Sequence, residues 1–593
     1  MSAMKSLASV LILVAVASGL ARPQTAQETP EQFQARTKWW REAKLGMFIH
    51  WGPYAVPADA MNLRGEKKTA DSYMGNKEMS VEDYARFASQ LTASKFNAQE
   101  WVRVAKETGM KYIVITAKFH DGFSMFDTRL SDFNIVKASP FGRDPLKELA
   151  AECKRQGIKL CFYYSIMDCR HPDYLPHYPW EKKLRPAAEA SLDRYIDEFM
   201  TGQLRELLTN YGPIGVIWFD GAWEHDEGPL HSAAVNSLLR SLQPAILIND
   251  RNVLPEDFAT PEQSVASGLL SDRRLWETCM TVNDTWGFGK NDTNWKSAEE
   301  LIRMLCDVAG RGGNFLLNVG PTAEGEFPAP ITERFAQIAK WIKLNGESIY
   351  GTSRGPYRHP PFKGRVTTKG NTLYVHVFAW PQGELRLAGL KTRVLSAETL
   401  DGGERLRVRS TTGGLDAGAP ADVLISQPRK LDPAATVIRL RLAGPPVVAE
   451  RPVVITAEKD GTLLLMPAEA ELHGTTGYYE AIYHKDFIGP WSDPTDYATW
   501  TCEVPRTGLY KIEFTYACPP EREGSEFTVG PEDGAKVTGT IKSTGSWVVD
   551  MGKTEPLGEI ELPGGQHKIA LRFKNIPKGA AMRLNQIRLT PIR

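Results

Sequence analysis

The 593-residue chain has little cysteine, no net charge and a single long apolar run. Its 71 basic and 71 acidic side chains cancel, which removes the electrostatic case for a nucleic-acid partner or an anionic membrane surface. Seven cysteines are few for an exported protein of this length, and Cys153, Cys161 and Cys169 lack the paired short spacings of a zinc site. Buried, inert thiols are expected for most of them. Cys502 and Cys518 are placed to bridge neighbouring C-terminal strands, and the odd count leaves at least one thiol unpaired. Without His and Cys at metal-ligand spacing, no metal and no cofactor is expected. No glycine-rich phosphate loop follows the first apolar strand, which counts against a dinucleotide fold.

The one long apolar run is at the start. Lys5 precedes Leu7 to Val16, and Ala17-Ser18-Gly19-Leu20-Ala21 supplies small residues before Arg22. Residues 1–21 therefore read as a secretory signal cleaved after Ala21, too short to span a bilayer. The expectation is an exported, soluble protein, periplasmic or extracellular, with no membrane insertion. Nothing in the sequence encodes its oligomeric state.

Length alone implies several domains. From about 30 to 352 short apolar strands alternate with amphipathic helices, the pattern of a parallel barrel or open parallel sheet. Strands are expected at Leu45–Trp51, Tyr112–Ala117, Lys159–Ser165, Gly215–Asp220, Ala245–Asp250 and Asn314–Gly320. Their C-terminal ends carry His50 and Trp51, His120, Tyr163 and Tyr164, Asp220, Asp250 and Arg251. Catalytic groups of a (β/α)₈ barrel collect at that rim, so a barrel is the better reading. Residues 356–447 read as a first antiparallel β-sandwich. A Pro-rich linker leads to a second at 453–593, similar to carbohydrate-binding modules and carrying Trp491, Tyr497 and Trp500; it serves either to bind sugar or to prop the barrel. The fold class is thus multidomain, α/β plus all-β: a (β/α)₈-barrel-like catalytic domain followed by two β-sandwich domains.

The most informative stretch is Val216-Ile217-Trp218-Phe219-Asp220-Gly221-Ala222-Trp223. A β-branched apolar run ending in a carboxylate between two tryptophans reads as a buried strand whose last residue enters an aromatic-walled pocket. Aromatic faces stack on sugar rings, and a carboxylate there can attack an anomeric carbon. An Asp that only caps the next helix is the plainer alternative.

Five motifs in order decide between these readings: Gly46-Met-Phe-Ile-His-Trp-Gly-Pro-Tyr54, Ala117-Lys-Phe-His-Asp-Gly-Phe123, Trp218-Phe-Asp220, Asn249-Asp-Arg251 and Gly313-Asn-Phe-Leu-Leu-Asn-Val-Gly-Pro321. Together they resemble the retaining α-L-fucosidases of glycoside hydrolase family 29, over residues 35 to 355. The resemblance implies double displacement on fucosylated glycans, with Asp220 as nucleophile. It leaves two acid/base candidates. Glu262 lies in a loop-like segment, Asp257-Phe-Ala-Thr-Pro-Glu-Gln263, and is favoured because a mobile loop can bring an acid to the leaving group. Glu277, at a strand-like position in Trp276-Glu-Thr-Cys279 that resembles the acid/base site of other branches, is the rival. His50 and His120 are expected to hydrogen-bond ring hydroxyls, and Arg251 to bind sugar or hold Asp220 ionised. Trp218, Tyr164 and Trp286 are expected to wall the methyl group of a 6-deoxy sugar.

Two positions depart from the family pattern. Phe119 stands where many relatives have a second His, and Asp71-Ser72 replaces a frequent Glu-Trp pair. The departures keep two other readings open, a binding protein on the same scaffold that has lost catalysis and a hydrolase of a fucose-like galactoside.

Overall fold

The computed structural model describes residues 28–592, apart from 60–61, 64–65, 68–69, 178–188, 223–224, 226, 264, 266–273, 358–359, 411–420, 450–453, 475–478, 483–484 and 546–552. The expected signal segment and Trp223 lie outside the described residues. Two units are distinguished, one ending at Lys38 and one running from Trp39 to Arg593. The described part of the first is the opening of a helix, Pro30–Ala43, with an Arg36–Glu28 ion pair at 2.7 Å.

Seven parallel strands form the first sheet of the larger unit. They are β1 (Leu45–Ile49), β2 (Tyr112–Lys118), β3 (Lys159–Ser165), β4 (Val216–Asp220), β5 (Leu247–Ile248), β6 (Glu277–Thr281) and β7 (Asn314–Val319). β1 pairs with both β2 and β7, and β6 pairs with β7. Residues 258–262 complete the circuit between β5 and β6. Phe258 bridges Asn249, and Ala259 and Glu262 bridge Trp276 and Cys279, all in parallel. Hydrogen bonds from Glu277 N to Ala259 O (2.9 Å) and Gln263 N to Cys279 O (2.9 Å) hold this eighth stave in place. A closed parallel barrel needs eight staves and has no free edge. The segment expected to be a mobile loop around Glu262 is therefore part of the barrel wall.

Period-two alternation assigns the two faces of each strand. Ile113 and Ile115, Phe162 and Tyr164, and Ile217 and Phe219 pack outward against the helix layer. Tyr112 and Val114, Cys161 and Tyr163, and Val216 and Trp218 point inward with Phe48, Leu316 and Cys279. Helices Ala98–Thr108 and Pro145–Gln156 belong to the layer that covers the strands. Asn97 and Asp144 cap their N-termini, each accepting a backbone N–H, and Gly109 and Gly157 end them in the left-handed region.

Beyond the barrel the described residues form strands joined by short turns. A five-stranded and a three-stranded antiparallel sheet enclose one apolar core, with Val375, Leu387, Val423 and Leu440 buried in it. Two six-stranded sheets enclose another. One expectation about this last region, the Cys502–Cys518 bridge, needs correcting, and the placing of its aromatic residues bears on whether it binds sugar or props the barrel. Trp491 and Trp500 are fully buried in its core, with the Trp500 Nε1–H donating to Met466 O. Tyr497 is stacked on His473 and covered by the Arg572 guanidinium. Neither tryptophan offers a free ring face for stacking on sugar, and the Tyr497 ring already has two protein partners. All seven cysteines are buried free thiols, so Cys502 and Cys518 form no bridge; each fills apolar core space instead.

Among the described residues no helix is long and apolar enough to cross a membrane. No group of three or more His, Cys, Asp or Glu among them is placed to hold a metal ion.

Candidate active site

The C-terminal ends of the barrel strands bring one carboxylate cluster together. Asp220 closes β4, and the turn after it is tight: Gly221 has φ +79°, and a Cβ there would lie 2.8 Å from Met167. Only glycine fits this left-handed turn without strain. Tyr163 OH donates to Asp220 Oδ2 at 2.8 Å, and Arg251 Nη1 donates to Oδ1 at 3.0 Å. His120 Nε2 lies 3.7 Å from Oδ2. The second terminal nitrogen of Arg251 donates to Glu262 Oε2 at 2.7 Å. One guanidinium thus bridges both carboxylates.

Arg251 is itself fixed. Its Nε donates to Thr260 Oγ1 and its Nη2 to Thr260 O. The Thr260 hydroxyl donates onward to Asp250. The guanidinium also lies over the Trp218 ring, 4.7 Å from its centre. A planar, always-charged fork is suited to clamping two carboxylates at once.

The two carboxyls shift in opposite directions. Burial by itself pushes Asp220 up, but the charge of Arg251, then the neighbouring His120 and the hydrogen bonds from Tyr163 and Arg251, bring it below the usual carboxylate range. Burial also pushes Glu262 up. Arg251 opposes this, the negative charge of Asp220 adds to it, and the net direction is upward. A pair of carboxyls pushed apart in this way has one member ready to attack and one ready to give a proton.

Glu277 belongs elsewhere. It opens β6 at the opposite end from the strand termini and is 1 % exposed. Tyr112 OH and Trp40 Nε1 donate to its Oε2, and Trp218 Nε1 to its Oε1. Burial raises it to about 7. Three aromatic donors around one carboxylate make it an anchor for the barrel interior, with Trp218 among the side chains it holds. Tyr112 reaches it because β1 has glycine opposite: a Cβ on Gly46 would lie 2.4 Å from the Tyr112 ring.

The sugar-facing candidates divide. His50 and His120 both reach the cluster. His50 Nδ1 pairs with Asn318 Oδ1 at 2.7 Å, and the His50 ring lies 5.2 Å from Trp286. Trp286 is half-buried beside His50. Tyr164 is a correction. It sits on the outward face of β3, donating to Gln203 under the helices. Its neighbour Tyr163 holds the inward position, in register with Trp218. Strand phase decided the matter, and Cys161 and Val216 on the inward face are the signal that finds it. Trp218 also needs correcting: it is 1 % exposed, sealed under Arg251 and stacked on Tyr163, and so supports the site from below instead of walling it.

Both departures from the family pattern border the cluster. Phe119 is buried with its ring 5.8 Å from His50, 4.2 Å from His120 and 5.7 Å from Tyr163. Asp71 is buried and accepts the Gly287 N–H at 3.1 Å, while Ala70 N donates to Thr285 Oγ1. The segment around Asp71 therefore pins the turn that carries Trp286.

A buried carboxylate pair at the C-terminal rim of a (β/α)₈ barrel, ringed by His, Tyr, Trp and Arg, defines the chain as a glycoside hydrolase. The family model described as Alpha-L-fucosidase matches residues 13–347. An alpha-L-fucosidase of Dictyostelium discoideum is 30% identical over 469 residues, spanning 73% of this chain and 98% of that protein. The solved structure of alpha-L-fucosidase isoenzyme 1 from Paenibacillus thiaminolyticus is 34% identical, with a TM-score of 0.62 over 69% of this chain and 99% of that one. A GH29 alpha-L-fucosidase from Bacteroides thetaiotaomicron, solved as a covalent intermediate trapped with 2-fluoro-fucosyl fluoride, is 26% identical. Its TM-score is 0.61, over 69% of this chain and 96% of that one. The chain belongs to the alpha-L-fucosidase family.

Proposed function

We propose that this protein is an exported, exo-acting α-L-fucosidase that retains anomeric configuration, with Asp220 as nucleophile and Glu262 as acid/base. The observation that carries the proposal is the bridge of Arg251 between two carboxyls whose proton affinities diverge. Asp220 is held ionised for attack, and Glu262 is inclined to keep a proton for the leaving group.

In the first step Asp220 Oδ bonds to the anomeric carbon as the glycosidic C–O bond breaks, and Glu262 passes its proton to the departing oxygen. Esterification removes the charge of Asp220, and the unopposed charge of Arg251 then favours ionised Glu262. That is the form required in the second step, where Glu262 takes a proton from water as its oxygen attacks the anomeric carbon and Asp220 leaves. One arginine thus serves both halves of the cycle. The covalent intermediate of the Bacteroides relative supports retention, and the N-terminal pattern of Lys5, the apolar run and the small residues to Ala21 supports export. His50, His120 and Trp286 are read as sugar contacts. A sugar-binding role for the last β-sandwich draws no support from Trp491, Tyr497 or Trp500.

The test is nitrophenol release from 4-nitrophenyl α-L-fucoside. Asp220→Ala is expected to abolish turnover, and azide to rescue Glu262→Ala but not Glu277→Ala. Wild-type protein that binds L-fucose yet releases no nitrophenol, from this substrate or from the α-galactoside, points instead to a binding protein. Rescue of Glu277→Ala alone overturns the assignment of the acid.

A further inference from the structure

Two hydrogen-bond relays behind the pocket fix where the protons of His50 and His120 sit. Asn318 Nδ2 donates to the backbone carbonyl of Trp286 at 2.7 Å, so the Asn318 amide can have only its oxygen toward His50. An amide oxygen accepts and never donates, so the His50 Nδ1 facing it at 2.7 Å carries a hydrogen. The second relay gives the same answer by a different route. The Ser165 hydroxyl lies 2.7 Å from the carbonyl oxygen of Met167, which also accepts from Lys118 Nζ at 3.1 Å. A carbonyl cannot donate, so the single hydroxyl proton of Ser165 points to Met167. The His120 Nδ1, 2.6 Å from Ser165 Oγ, must then be the donor.

We propose that Asn318 and Ser165 are positioning residues that lock His50 and His120 as Nδ1–H tautomers, so that both neutral rings turn an Nε2 acceptor toward hydroxyl protons of the bound sugar. The claim about substrate rests on the fucosidase reading; the claim about tautomers does not. A site with two fixed acceptors selects a sugar that presents two hydroxyls as donors, and it penalises an O-methylated or deoxygenated sugar at either position, because an acceptor is left unpaired. Neutral rings suit the surroundings. Around His120 stand Asp220, Lys118, Arg251 and Asp168, and burial dominates to push it down to about 4. Around His50 stand Asp220, His120 and Arg251, and burial pushes it down to about 3.

The test is long-range ¹H–¹⁵N correlation of the full chain labelled with ¹⁵N-histidine, with His50→Gln and His120→Gln used to assign the two signals. Both are expected to show the Nδ1–H pattern at pH 7. Asn318→Asp is expected to move His50 alone to the imidazolium pattern and to bring a new acidic limb into kcat/KM. Ser165→Ala is expected to release His120 to a mixture of tautomers and to lower kcat/KM about 10-fold, the effect of losing one hydrogen bond that holds a ring in place. Ser165→Thr, which keeps the hydroxyl, is expected to restore most of it. Nε2–H patterns for the wild-type rings overturn the proposal, whatever the variants do. Nδ1–H patterns in a protein without turnover on the α-L-fucoside leave the tautomer lock standing and remove the fucosidase reading.

Discussion

Replacing Arg251 with Met removes the one positive charge shared by Asp220 and Glu262. Its effect can be worked out from the structure. A unit charge about 4 Å from a carboxylate is worth about 4 kcal/mol at an effective dielectric of about 20, an upper bound for the effect on either carboxyl. Asp220 retains its hydrogen bond from Tyr163 and its neighbour His120, so the upward shift it undergoes is smaller than that bound. The sign follows from the roles. Arg251 lowers both carboxyls, so its removal raises both. The acidic limb of kcat/KM marks ionisation of the nucleophile and the basic limb marks loss of the proton from the acid, each as a property of the coupled pair. Both limbs therefore move to higher pH, and activity at acidic pH falls much further than activity at alkaline pH. The assay is the full pH profile of nitrophenyl fucoside hydrolysis for wild type and Arg251→Met. A profile that is uniformly lower but unshifted refutes the reasoning, because Arg251 would then act on the substrate alone.

Tyr163→Phe removes the hydroxyl donor of Asp220 and is expected to move the acidic limb upward and cut kcat/KM about 10-fold, whereas Tyr164→Phe, which loses only the Gln203 bond, is expected to cost about 1 kcal/mol of stability in denaturant melts with kinetics unchanged. Glu277→Gln leaves three buried donors short of an acceptor and is expected to lower stability by about 2 to 4 kcal/mol, seen as a fall in Tm; Glu262→Gln is expected to abolish turnover with Tm nearly intact. Glu277 also predicts a pH dependence. Its folded proton affinity is raised to about 7, so the stability it adds is complete below about pH 4.5 and is lost as pH rises through 7. A Tm that falls between pH 5 and 8 in wild type more steeply than in Glu277→Gln checks this. Asp71→Ala frees the Gly287 N–H and is expected to raise KM more than it lowers kcat, measured on the same fucoside.

The sequence made the barrel legible because most of its strands are continuous apolar runs between capped helices. One stave escaped and another read only as a strand-like position around Glu277; both are short and polar. Glu277–Thr281 carries two threonines and a glutamate, and residues 258–262 contain Pro261, which argues against a central strand. Tertiary closure decided both, since the wall between β5 and β6 had to be filled. The same gap explains why Glu262 read as a loop residue. Asp220, Arg251, His50 and His120 were visible from their places at strand ends. Tyr163 was not separable from Tyr164 until the phase of β3 was known, and a one-residue change of phase moves a side chain to the other face. Trp491 and Trp500 illustrate the converse: an aromatic in a sandwich reads as a sugar platform or as core with equal ease, and only burial separates the two.

The most direct measurement is mass spectrometry of the protein quenched during reaction with a 2-fluoro-fucosyl fluoride, followed by peptide mapping. A single fucosyl adduct is expected on the peptide containing Asp220, absent in Asp220→Ala. An adduct on another carboxylate, or an anomerically inverted product with no adduct at all, contradicts this expectation.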